Sequence, residues 1–134
     1  MSRTPVSSKN APATPLSLMN QAIVANGLVF TSGALAMDPK TGKIIDGDIE
    51  AHTHQIIRNL GAILDEAGSS LNDVVEVNIF LSDLKFYGKM NEVYSKYWGD
   101  VKPARTCVAV KTLPMNADIE IKCVGVVTKA KSKL

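Results

Sequence analysis

Asn26-Gly27 stands between two β-prone runs, Gln21-Ala22-Ile23-Val24-Ala25 and Leu28-Val29-Phe30-Thr31-Ser32-Gly33, and no other feature restricts the fold of the 134-residue chain as tightly. Both central residues of a type I′ turn need positive φ, which Asn and Gly adopt with least strain, so the pair predicts a β-hairpin. A two-residue turn also sets the register, placing Ala25 opposite Leu28 and Ile23 opposite Phe30. Asp38 to Lys43 reads as a turn-rich excursion, followed by a short strand at Ile44-Ile45. Residues 1–15 carry Pro5, Pro12 and Pro15 and are expected to form an irregular arm on a single domain spanning 1–134.

After Asp48 the apolar period changes from two to between three and four. Ile49, Thr53, Ile56, Leu60, Ile63 and Ala67 mark one face of an amphipathic helix, capped by Asp46 or Asp48 and ended at Gly68. Gly61 inside it predicts a close approach to the sheet. Val75, Val77, Ile79 and Leu81 then alternate with Glu76, Asn78, Phe80 and Ser82, a strand. A second helix, capped near Ser82 or Asp83, carries Phe86, Met90, Val93, Tyr94 and Tyr97 and ends at Gly99. Strands over 104–111 and 118–127 complete the chain.

Hairpin, helix, strand, helix, strand, strand is an α+β order: a mixed β-sheet with two helices packed on one face. The other face is also apolar, through Val74, Phe80, Val108, Val110, Val124 and Val126. A short chain cannot cover both faces of its sheet, so an oligomer is expected, a second copy being the simplest cover.

Hydrophobic residues make up 46% and charged residues 21%, an ordinary globular balance. A net charge of +2 is too small a surplus to argue for a nucleic-acid partner. No apolar run reaches the roughly 20 residues that span a bilayer. The polar start lacks the apolar stretch of a secretory signal, which gives a cytoplasmic reading, with a mitochondrial presequence at Arg3, Ser7, Ser8 and Lys9 as its alternative. Cys107 and Cys123 fit a reducing compartment and read as small buried hydrophobes. His52 and His54, two apart on a helix, point to different sides and cannot pinch one ion, so no metal is expected.

Pro103-Ala104-Arg105-Thr106-Cys107-Val108-Ala109-Val110 holds the main chemical signal. Alternation puts Arg105 and Cys107 on the same strand face in apolar surroundings, where a permanent guanidinium charge needs an anionic acceptor. That acceptor is either a ligand carboxylate, held by two parallel hydrogen bonds, or an internal acid. Glu120, between Ile119 and Ile121, is the candidate internal acid. If the last two strands pair antiparallel, it falls within a few residues of Arg105 in register. With Arg105 occupied by substrate, Glu120 could instead orient a water molecule. Ser32 precedes Gly33, where backbone can approach a ligand closely. Asn91 alone would read as a solvated helix residue.

These segments, with Leu113-Pro114, Ile119-Glu120-Ile121 and the hairpin run Gln21 to Gly33, resemble the signature of the RidA/YjgF family (reactive intermediate deaminases), nearest its fungal branch. The resemblance extends through Asn72 to Asp83 and Asn91-Glu92-Val93-Tyr94, nearly the whole chain. It implies a chorismate-mutase-like subunit, a homotrimer whose sheets form a barrel, and sites between subunits. It implies cofactor-independent hydrolysis of 2-imino and 2-enamino acids, such as 2-iminobutanoate and 2-iminopropanoate, to 2-oxo acids and ammonia. By the same resemblance Arg105 holds the substrate carboxylate and Glu120 positions water. Cys107, mainly by its backbone, binds substrate, and Ser32, Gly33 and Asn91 line the pocket. Met19 occupies the place of a family tyrosine and Ala34 that of a glutamine, so the pocket is less polar than the family's. One alternative is therefore a trimer that binds small carboxylates with weak or lost turnover. A ribonuclease or translation inhibitor is the third reading.

Overall fold

A computed structural model describes residues 2–129; of the lysine-rich tail Lys129–Leu134, positions 130–134 lie outside the described residues. The elements run β1 (Thr4–Val6), β2 (Ala22–Ala25), β3 (Leu28–Thr31), α1 (Ile49–Glu66), β4 (Val74–Leu81), α2 (Tyr87–Tyr94), β5 (Ala104–Ala109) and β6 (Ile119–Val126). They build one sheet of order β1-β2-β3-β6-β4-β5 in which only β4 and β5 run parallel.

The hairpin forms as its turn chemistry demands. Asn26 and Gly27 have φ of 52° and 77°, and Ala25 pairs with Leu28 and Ile23 with Phe30. Asp48 caps α1 by accepting the Ala51 N–H at 3.0 Å, a bond worth about 1 kcal/mol. Ile56, Ile57, Leu60 and Leu64 of α1 and Met90 of α2 bury themselves against Val29, Val77, Ile79, Leu81, Ile119, Ile121 and Cys123. Both helices therefore cover the same sheet face. On the opposite face Phe30, Val108 and Val126 are exposed and Phe80 and Val124 half-buried, an apolar surface that one copy leaves uncovered.

Five details depart from the expectations. The arm is not wholly irregular, because Thr4–Val6 pairs with Ala22–Val24; Pro5, lacking an N–H, is tolerated on the edge strand. Ile44 makes only a single bridge to Met37 rather than a strand. Gly61 approaches Leu71, not the sheet, and a Cβ there would meet it at an ordinary 3.5 Å. Helix α2 stops at Tyr94, and the chain turns through Trp98 and Gly99 at φ of 82° and 75°. Finally, a bulge between Val74 and Glu76 rotates Val74 into the core, away from the outer face where simple alternation puts it.

Candidate functional site

Strand β5 lies at the sheet edge beside β4, with Arg105 opposite Val77 and Cys107 opposite Ile79. Side chains directly opposite one another share a face, so Arg105 and Cys107 lie on the helix-covered side. There α2 presents Tyr87, Asn91 and Tyr94, spaced i, i+4, i+7 on one helical stripe. Arg105 Nη1 donates to Asn91 Oδ1 at 2.6 Å and Nη2 to the Tyr87 hydroxyl at 3.1 Å. Its Cζ lies 4.8 Å from the centre of the Tyr94 ring and 5.5 Å from that of Tyr87. Both hydrogen-bond partners are neutral, and among the described residues no carboxylate pairs with the guanidinium. The clamp thus fixes the fork without neutralising it, leaving N–H donors for an external acid. Burial pushes the Cys107 thiol above its ordinary pKa, against the pull of Arg105, so Cys107 is a protonated half-buried neighbour rather than a nucleophile.

Glu120 stands opposite Phe80 on β4 and therefore on the outer sheet face. Burial raises its carboxyl above the ordinary value of 4.5, with Lys122 pulling the other way. Gly33 lies against it. A Cβ at position 33 would fall 2.6 Å from Glu120 Oε2, so glycine is what leaves the carboxylate its place. The Ser32 hydroxyl donates to the Asn20 carbonyl at 2.6 Å, tying the end of β3 to the segment that carries Met19. Met19 (38% exposed), Ser32, Gly33 and Glu120 line a cavity of about 550 Å³ that reaches inward to Asn59 and Ile63 of α1.

The expected residues therefore gather into two groups. Arg105, Asn91 and Cys107 form one; Glu120, Gly33, Ser32 and Met19 form the other. The expectation that the last two strands pair is overturned, because β4 inserts between β5 and β6. Two strand spacings, about 10 Å, separate the strands of Arg105 and Glu120, and the side chains point to opposite faces. Mutual neutralisation within one subunit is thereby excluded. Asn91 is not a solvated helix residue but the acceptor that orients Arg105.

Three residues escaped the sequence reading. Tyr87 and Tyr94 complete the arginine clamp, and their spacing around Asn91 was the available signal. Gln21, 5% exposed, holds the arm: Oε1 accepts from the Ser8 N–H at 2.6 Å, and Nε2 donates toward the Ser8 and Pro12 carbonyls at 3.1 and 2.9 Å. The histidines are used structurally. His52 Nδ1 lies 2.8 Å from Asp118 and Nε2 2.8 Å from the Ile45 carbonyl, while His54 bonds the Tyr97 hydroxyl.

Fold and site together define an α+β protein with a clamped, unneutralised guanidinium on one sheet face and a carboxylate-walled cavity opening at the other. A family model described as Endoribonuclease L-PSP matches residues 8–127. The chain is 45% identical over 127 residues to "Protein mmf1, mitochondrial" of Schizosaccharomyces pombe, covering 92% of this chain and 75% of that one. It is 43% identical over 120 residues to "Reactive Intermediate Deaminase A, chloroplastic" of Arabidopsis thaliana, covering 90% and 64%. The crystal structure of yeast Mmf1 matches with a TM-score of 0.90 at 41% identity, over 93% of this chain and 98% of that one. The chain belongs to this family, the RidA/YjgF family.

Proposed function

We propose that the protein is an imine/enamine deaminase that hydrolyses 2-imino acids, 2-iminopropanoate and 2-iminobutanoate among them, to 2-oxo acids and ammonia without a cofactor. The observation that carries this reading is the separation of Arg105 from Glu120: one anchors an acid, the other handles a proton, and a single subunit holds them on opposite faces. They can act on one small molecule only where one subunit's β5 edge meets the outer face of another. The uncovered apolar face supplies the surface for such assembly, and a homotrimer with sites between subunits satisfies both requirements. The deaminase name of the Arabidopsis relative supports the reaction class.

The chemistry needs little more than positioning. The substrate carboxylate takes two parallel hydrogen bonds from Arg105, beside the Cys107 backbone on the edge strand. The imine carbon is already electrophilic. Glu120, on the neighbouring subunit, accepts a proton from water as the oxygen attacks that carbon. The same proton then goes to nitrogen, giving a carbinolamine. Glu120 next takes the hydroxyl proton and passes it to the amine, the C–N bond breaks, and ammonia leaves as the carbonyl forms. A partly desolvated carboxylate suits both halves of this transfer, being a stronger base than an ordinary glutamate.

The test generates the imine in place with threonine dehydratase and threonine and follows its disappearance. Faster loss with the protein, abolished by Arg105→Ala, supports the enzyme. Binding of 2-oxobutanoate without acceleration supports the small-carboxylate-binding alternative that Met19 motivates. The family description favours one further reading, RNA cleavage; a nuclease activity that disappears with Arg105→Ala and survives repurification would establish it. Among the described residues no helix is long and apolar enough to cross a membrane, and membrane partners form no part of the proposal. For location, the cytoplasmic reading and its mitochondrial alternative stand together, the fission-yeast relative's name supporting the second. Cell fractionation separates them.

A further inference from the structure

We infer that the cavity beside Glu120 is a side-chain subsite for 2-imino acids bearing an apolar side chain of four or more carbons. This inference rests on the proposed deaminase reading. Around the cavity Met19, Ala34, Leu35, Met37, Ile63 and Met115 supply the apolar surface, and Glu120 is the one charged residue among those lining it. Four polar residues also reach it, and each is already committed to its own chain. Gln21 holds the arm carbonyls, and Asn59 Nδ2 donates to the Met37 carbonyl at 2.9 Å. The Ser32 hydroxyl donates to Asn20, and the Thr14 hydroxyl donates to the Met19 carbonyl at 3.2 Å. A hydrogen-bond-accepting substituent entering there loses its water and finds the side-chain donors of the lining already used, whereas an aliphatic one exchanges water for methyl and thioether contacts. About 550 Å³ exceeds what a methyl or ethyl group can fill. With the carboxylate on the neighbouring subunit's Arg105 and water between C2 and Glu120, the cavity is the volume left for the rest of the molecule.

Two readouts test this. The first titrates the wild-type protein with pyruvate and with 4-methyl-2-oxopentanoate; the second compares kcat/KM for imines generated from L-alanine and L-leucine by an L-amino-acid oxidase. The larger acid should bind at least about tenfold tighter, and the leucine-derived imine should be favoured by a similar factor. Ala34→Leu, which narrows the cavity, and Met115→Gln, an exposed position that polarises its mouth, should each shrink that preference severalfold. Equal or tighter binding of pyruvate overturns the inference, as does a preference untouched by both variants. If neither imine is hydrolysed while the larger oxo acid still binds preferentially, the deaminase reading fails and the subsite stands as a binding site.

Discussion

A methyl group on residue 33 would lie 2.6 Å from Glu120 Oε2, so the backbone of Gly33 and the carboxylate of Glu120 occupy adjoining space. The obstructed group is the end of a flexible side chain, which can swing away without unfolding anything. Gly33→Ala should therefore fold with a melting temperature within about 3 °C of wild type, since a surface substitution of this kind changes stability by roughly 0.5 kcal/mol. Its kcat should nevertheless fall by about 10²-fold, as misplacement by an ångström does. A large stability loss with normal kcat would show that Gly33 serves the fold instead.

Glu120 should carry opposite signs for rate and stability. Its folded-state pKa is raised by burial, so the charged form is disfavoured by folding. That penalty is absent below the unfolded value of 4.5, grows as pH climbs toward the folded pKa, and is constant above it. Glu120→Gln should thus melt higher than wild type at pH 7, and the gain should vanish near pH 4. The same variant should lose about 10²- to 10⁴-fold in kcat, the usual worth of a positioned base. In wild type, with Arg105 occupied by substrate, the acid limb of kcat should fall at a pH above 4.5. Parallel thermal melts and pH–rate profiles check all three.

What local chemistry decides was legible, and what depends on strand order was not. The Asn26-Gly27 turn and the Ile49-to-Ile63 stripe of α1 follow from neighbouring residues and form as read. The alternation in β4 holds from Val77 to Leu81, while the bulge before Glu76 turns Val74 inward and leaves Val75 exposed. Pairing β5 with β6 looked natural because they adjoin in sequence. Yet β4 lies between them, joined to β5 through α2 in a parallel crossover. Parity along one strand shows which residues share a face. It cannot relate faces across a loop, so the sequence leaves open a pairing of Arg105 with Glu120 that the fold rules out within one subunit. The clamp of Tyr87, Asn91 and Tyr94 was legible as a helical stripe, but only the edge position of Arg105 gives that stripe a purpose.

Asn91 should matter through Arg105 alone. Asn91→Leu removes the acceptor 2.6 Å from Nη1 and leaves the fork held by the Tyr87 hydroxyl alone, between the two tyrosine rings. A hydrogen bond to a charged group is worth about 1.5–3 kcal/mol, so affinity for 2-oxobutanoate should weaken about tenfold or more. Asn91→Asp should weaken it further, because the new carboxylate competes for the guanidinium. Calorimetric titration distinguishes the two, and an Asp variant that binds as wild type does would contradict the anchoring role.

Gln21 should control the arm. Its side chain meets the backbone of Ser8 and Pro12 in a buried setting, and the arm it holds brings Pro12, Thr14 and Pro15 to the cavity wall. Gln21→Leu strands the Ser8 N–H and the arm carbonyls that Gln21 holds, at about 1–3 kcal/mol for each group left buried and unpaired. Limited proteolysis should then cut within 8–18 far faster than in wild type, and the larger oxo acids should bind more weakly as that wall is lost. An arm equally protected in the variant would show that β1 pairing alone holds it.

Division of the site between subunits makes the sharpest prediction. Arg105→Ala and Glu120→Gln each inactivate one half-site, so either protein alone should be inactive. If a site takes Arg105 from one subunit and Glu120 from its neighbour, mixed oligomers contain some sites with both halves intact. Random assembly of equal amounts makes each half intact with even odds, so co-expression should restore about a quarter of wild-type activity. Should both groups come from one chain, no mixed assembly could regain it. With the two side chains on opposite faces of each sheet, the proposed site between subunits leads to the first outcome.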